Sequence, residues 1–189
     1  MKINKLTFQA IGPFPGHHTI NFDLLGDAAL FLIDGPTGAG KSTIIDAITF
    51  GIYGDTAGTD SDKSRMRSQH APADRKSFVE LTFTTGAGTF KVFRSPEFMR
   101  PRTRGEGLTK ENAKASLVQV LPDGEERGVA EHVQEVGNQL LEIVGLTKDQ
   151  FAQTVVLPQG EFAKFLKSDP NYLSALHQHL AVPTESSAN

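Results

Sequence analysis

The sequence predicts an α/β fold in which a β-sheet surrounds a helix that starts at a phosphate-binding loop. Three observations predict it. The run Gly35-Pro36-Thr37-Gly38-Ala39-Gly40-Lys41-Ser42 fits the pattern G-x-x-x-x-G-K-[ST] at every specified position. A short apolar run, Ala29-Leu30-Phe31-Leu32-Ile33, enters this loop as a buried strand would, and Thr43 to Phe50 leaves it with apolar residues at helical spacing. Several other segments alternate apolar and polar residues with the period of two that belongs to half-buried strands.

Two strand-like runs come first, Lys2 to Ala10 and His18 to Phe22, joined by the turn-rich Gly12-Pro13-Phe14-Pro15-Gly16. The loop helix should end near Tyr53-Gly54, and residues 55 to 77 read as a long loop of small, polar and basic residues. Phe78 to Phe83 and Thr89 to Arg94 alternate cleanly around Gly86-Ala87-Gly88, which describes a hairpin. Pro96 to Lys110 then reads as a second basic loop, with Arg100, Arg102 and Arg104 at every second position. Ala115 to Leu121 is another strand, closed by the turn Pro122-Asp123-Gly124. Val129, Val133, Val136, Leu140, Leu141 and Val144 recur at spacings of three and four, which predicts an amphipathic helix over 129–144 ending at Gly145. Thr147-Lys148-Asp149-Gln150 has the form of a capping box and predicts a helix from Lys148 to about Val155. After a break at Pro158, Glu161 to Leu166 again has a helical apolar face, and the polar tail from Pro183 should fray.

The loop carries the chemistry. Its glycines let the backbone turn sharply so that successive N–H groups face phosphate oxygens, Lys41 sets a cation against the β and γ phosphates, and the Ser42 hydroxyl is placed to ligate Mg²⁺. The helix that follows aims its N-terminal N–H groups and positive dipole end at the same anions.

Composition narrows the class. No apolar stretch approaches the ~20 residues needed to cross a bilayer, and the start lacks a signal-peptide core, so a cytoplasmic address is expected. With no cysteine, neither a disulfide framework nor a thiolate zinc site can form in this chain. His17-His18 and His177-x-His179 lack nearby acids and a third ligand, so they read as exposed histidines. The net charge of -3 hides an asymmetry: Lys63 to Lys114 holds 12 Lys/Arg and 5 Asp/Glu, and the rest holds 7 and 17. Nucleic acid bound along 63–76 and 94–110 would explain this island, and so would a solvated arginine-rich loop.

A self-sufficient nucleotide hydrolase also needs an acidic residue at the end of a second strand to hold Mg²⁺. None fits: Ile33-Asp34 leads directly into the phosphate loop, and Glu125-Glu126 follows a turn. The chain therefore reads as half of an ATPase site.

Several patches together resemble the N-terminal lobe of the SbcC-type ATPase subunits of SbcCD nucleases, within the SMC-like group of ABC-type DNA-repair ATPases. They are Met1-Lys2-Ile3 through Gly12-Pro13-Phe14 and Ile20-Asn21-Phe22; Gly35 to Gly54; Met66-Arg67-Ser68, Val79-Glu80-Leu81, Arg100-Pro101 and Arg104-Gly105; and Leu157-Pro158-Gln159-Gly160-Glu161-Phe162 with Phe165-Leu166. The last is similar to the family's Q-loop. The resemblance spans about residues 1 to 170 and implies a P-loop NTPase of the ABC/SMC head type, with a mixed or antiparallel sheet around the P-loop helix and a helical segment leading to the Q-loop. It implies a lobe over 1–156, the Q-loop and its helix over 157–170, and a truncated or divergent tail over 171–189.

The resemblance further implies ATP and Mg²⁺ held by Gly35, Pro36, Thr37, Gly38, Ala39, Gly40, Lys41, Ser42 and Thr43, with Ser42 and Gln159 at the metal and Lys41 and Gln159 in catalysis. Arg67 and Ser68 enter as nucleotide contacts by gapped resemblance. Implied partners are the C-terminal lobe of the same ATPase, a second head in an ATP-bound dimer, the SbcD nuclease and DNA, with no membrane and a cytoplasmic, nucleoid-associated location. Where some relatives place a phosphate-touching arginine in the opening hairpin, this chain has Pro13-Phe14. A RecF-, RecN- or SMC-like recombination head would share these features; a stand-alone P-loop kinase would need its second Mg²⁺ acid within this length.

Overall fold

A computed structural model describes residues 1–26, 33–56, 66–102 and 104–154; they comprise most of a unit from Met1 to Lys148 and the first residues of a second that starts at Asp149. Strands β1 (Lys2–Ile11) and β2 (Phe14–Asn21) form the opening hairpin, tighter than its turn-rich sequence suggests because pairing resumes at once with Ile11 opposite Phe14. A bulge at Ala10 makes this possible. Ala10 takes φ 54°, a left-handed conformation that costs an L-residue about 1–2 kcal/mol. The bulge is held by hydrogen bonds to the Ala10 carbonyl from Ser68 N at 2.8 Å and Ser77 Oγ at 2.9 Å. β2 ends at Asn21, and Phe22, expected in the strand, begins a 3-10 turn capped by the Asn21 side chain.

Helix α1 (Lys41–Tyr53) follows the glycine loop, with Gly40 and Gly54 in left-handed conformations at its two ends. Strands β3 (Phe78–Thr85) and β4 (Gly88–Ser95) form the expected hairpin. Among the described strands the main sheet has the order β2-β1-β3-β4-β7-β8 with β7 (Lys114–Val120) and β8 (Glu126–Glu131), and every neighbouring pair is antiparallel. Register aligns Leu6, Leu81, Val92, Leu117 and Ala130 in one buried row across five strands. Each large apolar side chain buried there contributes about 1.5–3 kcal/mol. Helix α1 lies on this face, and Gly51 makes the approach close: a Cβ there would stand 3.2 Å from Leu81 Cβ.

The neighbouring row carries an exception to apolar burial. Phe8, Val79, Arg94 and Ala115 align in register, and Arg94 is only 3% exposed. Its Nε donates to Gly51 O at 2.9 Å and its Nη2 to Ile52 O at 3.1 Å, so a buried cation closes the C-terminal carbonyls of α1. Burial lowers its pKa to about 10, still charged at neutral pH. Arg94 is thus a helix anchor and not part of a DNA-facing loop.

Two other expectations are corrected. The stretch Pro96 to Lys110 is not a loop throughout: β5 (Phe98–Pro101) pairs with β6 (Leu108–Glu111) in a separate two-stranded sheet. Arg100 donates to Glu111 at 2.7 Å across it. Lys114 and Arg100 hold the Glu111 carboxylate down at about 2, so this bridge stabilises the arm above the usual carboxylate range and is lost as pH falls from there towards 2. The helix expected from Val129 starts later, as α2 (Val133–Val144), because β8 occupies Glu126–Glu131. Beyond the turn at Pro122-Asp123-Gly124 the unpaired edge of β7 takes up the returning chain, which outweighs the chance helical spacing of Val129. His132, at φ 81°, breaks strand from helix.

Helix α2 ends at Gly145 and α3 (Lys148–Thr154) begins where the capping box placed it. Tyr53 donates to Leu146 O at 2.9 Å, burial raising its pKa to about 12, and Lys148 pairs with Asp55 at 2.9 Å. The expected strand residues 29–32, the segment 57–65, Gln159, the helix expected from Glu161 and the tail lie outside the described residues. Among the described residues no helix is long and apolar enough to cross a membrane.

Replacing Arg94 with Met would leave the Gly51 and Ile52 carbonyls without their buried donors, and a loss of about 2–4 kcal/mol of stability is expected. Urea unfolding followed by circular dichroism measures it; a change under about 1 kcal/mol would remove Arg94 from this role.

Candidate phosphate-binding site

The site is assembled from the N-terminus of α1, the loop before it and the tip of the first hairpin. Gly40 sits at φ 89° as the residue before the helix, and Ile44 N donates back to its carbonyl at 3.2 Å. A helix that begins at Lys41 leaves the N–H groups of its first turn without intrahelical acceptors, and they converge where an anion would be held. Lys41 is half-buried; its Nζ donates to Gly35 O at 2.5 Å and Pro36 O at 2.9 Å, so the ammonium lies within the loop. Ser42 is exposed and Thr43 half-buried beside it. Clustered N–H donors, one cation and two hydroxyls fit a phosphate chain with a hard divalent cation.

The hairpin tip is fitted to this loop. A Cβ on Gly40 would stand 2.5 Å from Phe14 Cε2 and closer still to Cζ, with Pro13 Cγ at 3.4 Å. A Cβ on Gly12 would stand 2.7 Å from Thr43 Cγ2. Pro13 and Phe14 therefore meet the loop by packing and not by charge. Phe14 is itself held by Phe8 at 5.4 Å and His18 at 5.1 Å, both edge-on, with His18 stacked on Phe8. His17 packs near Phe78. Among the described residues no three His, Asp or Glu side chains gather as a metal-binding cluster.

Arg67 and Ser68 lie behind the tip. Residue 67 bridges Ile11, Gly12 N donates to Met66 O at 2.9 Å, and Ser68 is buried with its amide on Ala10 O. The Arg67 guanidinium donates to Arg75 O at 2.6 Å, Pro72 O at 2.7 Å and Ala73 O at 3.3 Å, and stands 4.6 Å over the Phe98 ring. Desolvation lowers its pKa from the ordinary arginine value. Arg75 in turn donates to Pro15 O at 3.0 Å. Much of the basic island is thus committed within the chain: Arg94 to α1, Arg67 to its own loop, Arg100 and Lys114 to Glu111, and Lys110 to Glu97. Lys76, Arg102 and Arg104 are exposed.

Sequence reasoning missed Phe14 and Arg94. Arg94 had left a signal, since it shares the parity of Phe90 and Val92 on one alternating strand, which put a cation in a buried register. For Phe14 a turn-rich setting masked the contact, because nothing local states that a ring will meet a glycine of the phosphate loop.

A family model described as AAA domain matches residues 5–180. The chain is similar to the SbcC component of nuclease SbcCD from Vibrio cholerae serotype O1, 41% identical over 169 residues that make 89% of this chain and 17% of the relative. It is 38% identical to the SbcC component of nuclease SbcCD from Lactococcus lactis subsp. lactis over 170 residues, 89% of this chain and 16% of the relative. The chain therefore spans about a sixth of the length of these curated relatives. A solved structure described as "Structural biochemistry of ATP-driven dimerization and DNA stimulated activation of SMC ATPases" is 19% identical with a TM-score of 0.51, over 96% of this chain and 100% of that one. The chain accordingly shares the fold of that solved SMC ATPase structure, consistent with the N-terminal ABC/SMC-type lobe that the family resemblance implied, and among the described strands its sheet is antiparallel.

Gly40→Ala would force a Cβ into the Phe14 ring and strain the left-handed backbone. Nucleotide affinity is expected to fall at least about tenfold while the far-ultraviolet spectrum is kept, as checked by calorimetric titration beside circular dichroism.

Proposed function

The chain belongs to the AAA-domain family, and from that premise we propose that it is the ATP-binding N-terminal half of the head of an SbcC-like DNA-repair ATPase. The observation that carries this reading is the complete phosphate-loop motif at the N-terminus of α1, with Lys41 drawn into the loop by Gly35 and Pro36. Its similarity to the SbcC components of SbcCD nucleases across most of the chain supports the DNA-repair assignment.

ATP is held by residues 35–43. Lys41 neutralises the β and γ phosphates and supports catalysis, and Ser42 ligates Mg²⁺, which neutralises charge on the phosphates. Gln159 is assigned to the metal and the attacking water by its Q-loop resemblance, and Arg67 and Ser68 serve the nucleotide side of the site through the hairpin tip they support, with the Arg67 guanidinium held by the Pro72, Ala73 and Arg75 carbonyls and the Ser68 amide by Ala10 O. In this reading the lobe covers 1–156, the Q-loop and its helix 157–170, and a divergent tail 171–189. Hydrolysis needs the C-terminal lobe of the same ATPase. Two complete heads close on ATP and reposition an SbcD nuclease that acts on DNA ends and hairpins, in the cytoplasm at the nucleoid and away from membranes.

Nucleotide titration of the chain with and without Mg²⁺, paired with phosphate release, tests the core of this reading. Binding in the micromolar range or weaker is expected, with its loss in Lys41→Ala and negligible turnover; robust turnover by the chain alone would refute the half-site.

DNA contact is assigned to the exposed cations of the β5–β6 arm and Lys76. For the complete ATPase, Arg102→Glu with Arg104→Glu should reduce the slope of log affinity against log salt by about 2. An unchanged slope removes the arm from the DNA surface.

A further inference from the structure

We propose that the tip of the first hairpin is a brace that preorganises the phosphate loop, with Phe14 as its positioning residue. This rests on the nucleotide-binding reading above and adds a part that no motif contains.

Three observations converge on it. The Phe14 ring lies against Gly40, the last glycine before Lys41, so tightly that no side chain fits between them. That glycine sets the direction in which the N–H groups of the first helical turn point, because its left-handed conformation joins loop to helix. A second contact from the same tip, Gly12 against the Thr43 methyl, reaches the first helical turn itself, so the tip touches the chain on both sides of Lys41 and Ser42.

The tip is itself held in place from behind. Phe8 and His18 fix the ring of Phe14 edge-on, and Gly12 N is tied to Met66 O. Ala10, fully buried, is held in a left-handed bulge that redirects the chain just before the tip, with both Ser68 and Ser77 donating to its carbonyl. Strain of this kind persists only where the surroundings over-determine it, and here it aims the two residues that meet the loop.

A phosphate loop without such support would sample conformations in which its N–H groups diverge, and a nucleotide would have to order them on binding. Preorganisation lowers that cost and appears as affinity. Phe14 acts through Gly40 and touches neither phosphate nor metal.

The test uses the whole chain. In nucleotide-free Phe14→Ala, the hydrogen-bonded amides of Ala39 and Ile44, which donate to Pro36 O and Gly40 O, should exchange about tenfold faster with solvent while those of β3 and β4 stay protected, and ATP affinity should fall about tenfold. Phe14→Leu, which refills the space under Gly40, should restore both within about threefold. His18→Ala loosens the ring without emptying the space, and should give an intermediate increase in loop exchange.

Unchanged exchange at Ala39 and Ile44 in Phe14→Ala overturns the brace, as does uniform acceleration across β3 and β4, which would mark a general loss of stability. Lys41→Ala is measured in parallel. If it leaves ATP affinity intact, the nucleotide site itself is misassigned; if it abolishes binding while Phe14→Ala binds like the parent, the brace alone fails.

Discussion

Helix α1 is placed by a buried cation, and the site at its far end depends on that placement. Taking a guanidinium out of water is costly unless its donors are met, and Arg94 meets two of them with carbonyls at the end of α1. Several sequence positions become constrained at once. Gly54 must lack a side chain, because a Cβ there would stand 2.9 Å from Arg94 Nη1, and Gly51 must be small for the helix to come down on Leu81. Since a helix of 13 residues is a rod about 20 Å long, fixing its last turn on β4 also fixes where Lys41 stands.

The opposite end is secured by a different kind of force. At the N-terminus, where N–H groups have to remain available, a side chain hydrogen-bonded into the first turn would compete with any anion. The structure supports this end with apolar contacts instead, Phe14 under Gly40 and Gly12 beside the Thr43 methyl, and leaves the donors to the ligand. The two ends thus divide the work: charge and hydrogen bonds where the helix presents carbonyls, shape where it presents amides.

What the sequence made legible was whatever is periodic or local. The hairpins of β1–β2 and β3–β4 and the limits of α1 at Gly40 and Gly54 follow from alternation, turn residues and the glycine motif, and the structure keeps them. Competition between levels produced the misses. Val129 fits a helical spacing and the edge of β7 claimed it, because the turn at Pro122-Asp123-Gly124 returns the chain alongside an unpaired ladder (the register runs from Ser116↔Glu131 to Val120↔Glu126). The basic stretch from Pro96 looked like a loop because its arginines obscured an alternation whose inward member, Phe98, is buried beneath Arg67. Contacts between distant segments, such as Phe14 with Gly40, have no local signature at all.

The same logic changes what the basic island means. Composition counts cations and an approaching polyanion meets only those still able to offer charge. Arg94 is enclosed, Arg67 spends its donors on the carbonyls of Pro72, Ala73 and Arg75, and Arg100, Lys110 and Lys114 each face a carboxylate. Such pairs cancel much of the field beyond a Debye length of about 8–10 Å. The charge that an approaching phosphate backbone would feel is therefore concentrated on exposed residues such as Lys76, Arg102 and Arg104. Arg102, whose amide donates to Gly107 O and whose Nε donates to Leu108 O, and Arg104 follow the last register pair Pro101↔Leu108 and face no carboxylate in the ion pairs of the described residues, so the arm's internal ion pairs set its shape and its far end carries the charge able to act on a partner.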